Sequence, residues 1–506
     1  MSGASSVGPR TAPRPLWLVA LALLPAAALL VLILRATGGL FVYTLDDPFI
    51  HLALARSLMQ GHYCVQPGEL CAPSSSVLWP FLLAPFSLLP PRLFELTPLA
   101  INLACLAASL ALLLRLMPER LRGWSALLVT MLVAFGLNLY GLVFTGMEHS
   151  LQLLLVLLAL DGFYARPVDG TPRPVRFYVA LALLPLIRYE GLALSAALLG
   201  YQFVRGDRQH SLVAGGLALA GVIGFSLYLH GLGLGWLPAS VIAKSTGDNG
   251  SWGILGRFVL AVVLHQTLAV GTLAVLLAVA RGDRWLGTAL AGLTVLHFAV
   301  GQFGWFGRYE VYWVTTIVVV ALRLPGAGRL PAIALLLAVL LVGSDLRTAT
   351  LLTPRQAEAV YAQQVQMDRI AHLLDEPVAV NDIGLITLHS RHYVLDVWGL
   401  SSRDALRLRR ANPGSSAWLG PLLREKGVRQ AMIYRNWYPQ IPAGWTRVGS
   451  LVLTKGNVQL GGDTVDFYAT DAASAARFRR ALDAYRACCS TPLARLEPVS
   501  AAPVTR

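Results

Sequence analysis

Charge is what this chain has least of. Asp, Glu, Lys and Arg make up 13% of its 506 residues, about half the roughly 25% of an ordinary soluble domain. That excludes a soluble globule. With 56% hydrophobic residues and a mean hydropathy of +0.60, the composition is that of an integral membrane protein. Lysine is nearly absent, represented by Lys244, Lys426 and Lys455 alone. Cysteine is sparse, and no CxxC or Cys/His spacing offers a zinc site. No internal repeat and no low-complexity tract is visible. The formal net charge of +14 does not point to nucleic acid, because most arginines of the first two-thirds sit in short connections between apolar runs, the pattern that orients membrane spans.

What is there is a succession of apolar segments. Spans are expected near 16–35, 94–115, 123–143, 150–164, 176–188, 190–204, 211–230, 257–280, 285–304, 311–323 and 330–344, about eleven crossings. Pro15 to Leu34 is long for a signal peptide and reads as a retained anchor. With the N-terminus cytoplasmic, the inner connections carry Arg115/Arg120/Arg122, Arg166/Arg173/Arg176, Arg205/Arg208, Arg281/Arg284 and Arg323/Arg329. Residues 75–90 are apolar but hold Pro80, Pro85 and Pro90, which suits a re-entrant or interfacial segment better than a crossing. The fold class expected is therefore a polytopic all-α membrane domain over 1–344. An extracytoplasmic soluble α/β domain follows over 345–490, and 491–506 reads as a disordered tail. In the soluble domain, helices are expected over 353–375 (Pro354 in the first turn) and 470–487, and strands at 378–380, 385–388, 393–395, 430–434 and 451–453.

The unusual polar residues fall on one side of this topology. Asp46 and Asp47 follow the first span, and acids so near a bilayer are functional candidates. Asp47 precedes Pro48 and an amphipathic stretch, the signature of a helix start, which leaves Asp46 free to act as a base. Glu148, Arg188, Glu190, Lys244, Arg308 and Tyr309 lie in later connections on the same side. The cations suit a phosphate or diphosphate, Glu148 can bind substrate or orient an arginine, and Tyr309 can pack on a sugar or a lipid chain. His51, His62, His149 and His389 show no ligand spacing and read as packing or surface residues. Cys64 and Cys71 share the loop of the two aspartates; a disulfide and two free thiols are equally compatible with it. A bond between the neighbours Cys488 and Cys489 is geometrically unfavourable.

Several short motifs resemble the GT-C superfamily of integral-membrane glycosyltransferases, most of all its bacterial arabinofuranosyl- and mannosyltransferase-like members. They are Tyr43-Thr44-Leu45-Asp46-Asp47-Pro48-Phe49-Ile50, Gly61-His62-Tyr63, Ser74-Ser75-Ser76-Val77-Leu78-Trp79, Gly146-Met147-Glu148, Arg188-Tyr189-Glu190-Gly191 and Gly307-Arg308-Tyr309, with Asn381-Asp382-Ile383-Gly384 and Asp396-Val397-Trp398-Gly399-Leu400 further on. The resemblance implies a polyprenyl-phosphate sugar donor, a glycan, lipid or protein acceptor, and a first-loop acid at the centre of the chemistry. Asp46 takes that role first and Asp47 second. Metal-binding members carry Asp-x-Asp; here the acids are adjacent, and dependence on a divalent metal stays open. The second reading is a lipid-linked saccharide transporter or flippase, which would place its polar groups at mid-depth and in paired repeats. A ligase-like polymerase, typified by a large late outer loop, and a non-catalytic assembly protein are more distant readings.

Overall fold

The computed structural model describes residues 16–119, 121–165, 171–240, 253–324 and 344–498. Lys244 and residues 330–343 of the last expected span lie outside them. Among the described residues, three helices are long and apolar enough to cross a membrane: Leu16–Ala36, Pro91–Leu116 and Arg208–Gly231. At the sites of six further expected spans stand apolar helices of 10–17 residues: Trp124–Gly136, His149–Ala165, Val175–Ile187, Gly191–Val204, Arg284–Val300 and Val311–Leu322. The span expected at 257–280 is a bent pair, Gly253–Leu264 and Leu268–Gly282, turned by 97°. Residues 79–88 form two five-residue helical turns, far too short to cross a hydrocarbon core of about 30 Å.

The Pro91–Leu116 helix illustrates how the first loop is anchored. Pro91 suits the first helical position, but Pro98 lies inside the helix and disturbs its hydrogen-bond ladder. The Tyr43 hydroxyl fills the gap. It donates to the Glu95 carbonyl at 2.6 Å and accepts the Leu99 N–H at 3.1 Å. The ladder bond that should join those two groups thus runs through a side chain placed three residues before Asp46. Asp47–Met59 then forms the expected helix, buried along most of its length.

The C-terminal part is a mixed six-stranded sheet packed with helices. The strands are β1 (Val378–Val380), β2 (Val394–Asp396), β3 (Gln430–Ile433), β4 (Thr446–Leu453), β5 (Thr464–Ala469) and β6 (Ala494–Pro498), in the order β2-β1-β3-β5-β4-β6. β2, β1 and β3 run parallel, and the other pairings are antiparallel. Three expectations need correction. The run 385–388 is helical, within Gly384–His389; four apolar residues carry no period that separates strand from buried helix. The helix expected from 353 starts at Ser344, with Pro354 inside it. Thr350 within it donates its hydroxyl to Asn138 Oδ1 of the membrane part at 2.8 Å. The expected tail contributes the edge strand β6. Cys64 is bonded to Cys71, and Cys488 to Cys489 where the Ala472–Cys488 helix ends.

Candidate active site

Short-range forces first place the acids. Gly146 adopts φ +67°, and a Cβ there would lie 2.7–2.8 Å from Pro48 and Tyr43. Only glycine lets the Thr145–Glu148 turn press against the first loop. The turn buries the Glu148 side chain completely. Arg188 stands between two helices in an extended conformation (φ −150°, ψ 132°), which throws its side chain back toward Glu148.

Arg188 is almost fully buried, and its donors are committed to carboxylates. Nη1 donates to Glu148 Oε1 at 3.0 Å and to Ser75 Oγ at 2.7 Å; Nη2 and Nε donate to the two Glu190 oxygens at 2.7 and 3.2 Å. A buried charge requires such pairing. Glu148 Oε2 also faces His51 Nε2 at 3.8 Å. His51 therefore belongs to the site, although no spacing in the sequence marks it.

Arg308 comes from the turn before the Val311–Leu322 helix. Trp305 and Phe306 there have φ of +51° and +74°, ahead of Gly307 at +66°. Consecutive non-glycine residues in this region are strained and need outside support. Asn138 donates to the Phe306 carbonyl at 2.7 Å, and the Glu310 carboxylate accepts the Gly304 N–H. The turn presents Arg308, 2% exposed, to Asp47: Nη1 donates to Asp47 Oδ2 at 2.9 Å. Nη2 donates to the Tyr309 hydroxyl at 3.2 Å, and Nε, also buried, has no hydrogen-bond partner. Both guanidinium carbons lie close to the Tyr309 ring, 5.4 Å (Arg188) and 5.1 Å (Arg308) from its centroid, within range of cation–π attraction.

The adjacent aspartates diverge, as side chains of successive residues must. Asp47 is 33% exposed beside Arg308. Asp46 turns the other way and accepts the backbone N–H groups of Gly384 (2.5 Å) and Leu385 (2.9 Å). It thereby closes the N-terminal turn of the Gly384–His389 helix of the C-terminal domain. A Cβ at Gly384 would lie 2.1 Å from the Asp46 carbonyl oxygen, so this approach also requires glycine. Burial first, then the nearby charge of Asp382, pushes the Asp46 carboxyl up to about 8, against the two N–H groups that favour ionisation. Asp46 is therefore not unencumbered: its oxygens already accept two backbone N–H groups.

Asp382 is a member that the sequence did not single out. Its Oδ2 accepts from Gln364 Nε2 and from the Tyr434 hydroxyl, each at 2.8 Å. Burial raises its carboxyl to about 6, with the Asp47 charge acting in the same direction. Gln363 and Gln364 sit on a π-turn, Tyr361–Val365, an insertion frequent at functional sites. Further contacts fix the domain over the first loop. Arg56 Nη1 donates to the Leu388 carbonyl at 2.8 Å, His389 joins Asp368 and Glu95 at 2.9 and 3.2 Å, and Glu69, inside the Cys64–Cys71 loop, takes Lys426 Nζ at 2.9 Å.

Glu148, Arg188, Glu190, Arg308, Tyr309 and Asp47 thus meet in one constellation, with Asp46 at its edge. Arg188 and Glu190 also line a cavity of about 650 Å³ with Ala193, Ala196, Leu296 and His297. A second hollow of about 370 Å³ shares Ala193, Ala196 and Leu296 and continues past Gly200, Ala289 and Gly292, between the Gly191–Val204 and Arg284–Val300 helices. Among the described residues no group of three or more His, Cys, Asp or Glu is arranged to hold a metal ion.

Residues 355–468 match a family model described as a domain of unknown function, DUF8728. No curated protein matches the chain. Two cryo-EM structures of the mycobacterial arabinofuranosyltransferase AftD, one of them a mutant form, are similar over 90% of this chain at 15% identity, with TM-scores of 0.41 and 0.40. The chain spans 40% and 42% of those two chains. A likeness at this level leaves the activity to be argued from the chemistry of the site.

Proposed function

We propose that the protein is a membrane glycosyltransferase that moves a sugar from a polyprenyl-phosphate donor to an acceptor hydroxyl on the extracytoplasmic side, with inversion, and that Asp47 is its general base. The observation that carries this reading is the pairing of a partly exposed first-loop carboxylate, Asp47, with a buried arginine, Arg308, at 2.9 Å, beside a polar cluster that opens into an apolar hollow. Asp47 takes the proton of the acceptor hydroxyl while its oxygen forms the new bond to the anomeric carbon. The bond from that carbon to the phosphate oxygen breaks, and the polyprenyl phosphate departs. Once protonated, Asp47 no longer neutralises Arg308, so the guanidinium charge becomes available to the departing phosphate as its own charge develops. The small residues Ala193, Ala196, Gly200, Ala289 and Gly292 leave room for an isoprenoid chain along the groove. Arg188, fully paired, holds Glu148 and Glu190 in place rather than the phosphate.

The test is transfer from polyprenyl-phosphate sugars by purified protein, with the product anomer read by NMR. Asp47→Asn should lower turnover by about 10²–10⁴-fold, the usual share of a general base, with donor binding retained. Asp46→Asn should retain far more activity. Wild-type turnover by Asp47→Asn would remove the base and with it this reading.

A further inference from the structure

The C-terminal domain holds a second concentration of polar and aromatic groups. Strands β2, β1 and β3 are parallel, and in open α/β sheets ligands gather just beyond the carboxyl ends of such strands. Beyond β1 stands Asp382; beyond β2, Trp398; beyond β3, Tyr434 and Trp437. The Trp398 and Trp437 rings are 4.4 Å apart and half-buried, and the Tyr434 ring lies 5.2 Å from Trp437. The Arg409 guanidinium lies 3.6 Å from the Trp398 ring centre.

Two features of this cluster are incomplete as internal structure. Arg409 Nε and Nη2 are shielded from solvent and have no hydrogen-bond partner. The same holds for the hydroxyl of Tyr438, a residue only 2% exposed. Buried donors without acceptors are rare and destabilising. The Tyr438 hydroxyl is within electrostatic reach of Asp396, Arg409 and Asp382, so it belongs to the same cluster. Asp396 itself is fully engaged, accepting the N–H groups of Trp398, Gly399 and Ser401. Its function is to fix the turn that presents Trp398.

We infer that Trp398, Trp437, Arg409, Tyr438 and Asp382 form a subsite for a neutral oligosaccharide, the acceptor of the transfer. This rests on the transferase reading. Partly exposed indoles offer flat apolar faces for the C–H faces of a sugar ring. The fork of Arg409 and the Tyr438 hydroxyl supply donors to ring and hydroxyl oxygens, and Asp382 accepts from a hydroxyl. Arg409 and Arg435, which donates to the Tyr438 carbonyl at 2.7 Å, are balanced by Asp396 and Asp382, which favours an uncharged glycan over an anionic one. Asp382 connects the two regions: it accepts from the Tyr434 hydroxyl, whose ring lies tilted against Trp437, and it interacts electrostatically with Asp46 and Asp47. A sugar chain on the indoles would run toward the base that must deprotonate it.

The test uses the full chain in detergent, carrying Asp47→Asn so that binding is measured without turnover. Tetrasaccharides from mannan, arabinan and glucan are titrated by calorimetry. At least one should bind. Trp398→Ala and Arg409→Gln should each weaken it by about tenfold, the scale of a lost aromatic contact or charged hydrogen bond. Trp398→Phe, which keeps a flat face and separates stacking from misfolding, should restore most of the affinity. In the active protein, Trp398→Ala should raise KM for the acceptor and leave KM for the donor unchanged. Binding by no member of the panel, or equal binding by wild type, Trp398→Ala and Arg409→Gln, overturns the subsite. Binding with these mutant effects but no transfer from any polyprenyl-phosphate sugar upholds the subsite and overturns the transferase reading instead.

Discussion

The membrane part and the C-terminal domain treat buried arginines differently. In the membrane part each is ion-paired with a carboxylate: Arg188 with Glu148 and Glu190, and Arg308 with Asp47, although Arg308 Nε keeps no hydrogen-bond partner. At the edge of the C-terminal sheet, Arg409 and Tyr438 keep donors unpaired beside half-buried indoles. An apolar surrounding punishes an unpaired charge severely, so the membrane side is built as a closed electrostatic frame. Beyond the strand ends, Arg409 lies over the half-buried Trp398 ring and keeps valences open for a ligand. One part fixes the reacting groups, and the other is free to recognise.

That contrast can be broken experimentally. Arg188→Leu should have the largest effect on stability. It strands Glu148, fully buried, and removal of one partner from a buried pair typically costs about 3–5 kcal/mol; thermal unfolding in detergent would register it. Arg188→Leu with Glu148→Leu should recover much of the loss, and no recovery would mean that the frame is not electrostatic. Gly384→Ala comes next. Its Cβ would meet the Asp46 carbonyl oxygen at 2.1 Å, and overpacking of this kind costs about 1–3 kcal/mol. Here it should appear as undocking: faster hydrogen exchange in 384–389 with the membrane helices unaffected.

Docking should also weaken as pH rises. Asp46 has its folded-state pKa raised to about 8, mainly by burial, so its contribution is complete below the ordinary carboxylate range and is lost as pH rises through about 8. For His389, burial disfavours the charge, but the hydrogen bonds to Asp368 and Glu95 outweigh it and raise the group to about 9. Its contribution is complete below about 6.5 and is lost as pH rises through about 9. Both signs agree. The protection of the Gly384 and Leu385 amides, with the intrinsic pH dependence of exchange divided out, should fall between about pH 4 and 9, and Asp46→Asn should remove the lower part of that fall. A flat profile in the wild type would show that neither group governs docking. The smallest effect is expected from Lys426→Ala, which removes a partly exposed pair with Glu69 and should cost only about 0.2–1 kcal/mol.

How much of this could be read from the chain depends on the range of the interaction. Asp47-Pro48 announced a helix start, and a helix begins at Asp47. The topology expected from hydropathy and arginine placement grouped Glu148, Arg188, Glu190, Arg308 and Tyr309, and the fold brings these five together. The detailed assignment was not visible. Asp46 is bound to amides 338 and 339 residues away, and no pattern near Asp46 encodes that. Of the carboxylate partners of Arg188, Glu190 is two residues away, but Glu148 is 40 residues away and no spacing pairs it with Arg188. Asp382 was quoted for its motif, yet its place beside Asp46 and Asp47 depends on docking of the sheet.

The bond from Asp46 to Gly384 and Leu385 has a consequence for biosynthesis. A nascent chain emerges N-terminus first, so the first loop reaches its destination long before its partner amides have left the ribosome. Until then the two acids lack their final surroundings. Competence should therefore switch on abruptly, late in translation, and a fragment ending before residue 384 should insert into membranes yet be inert.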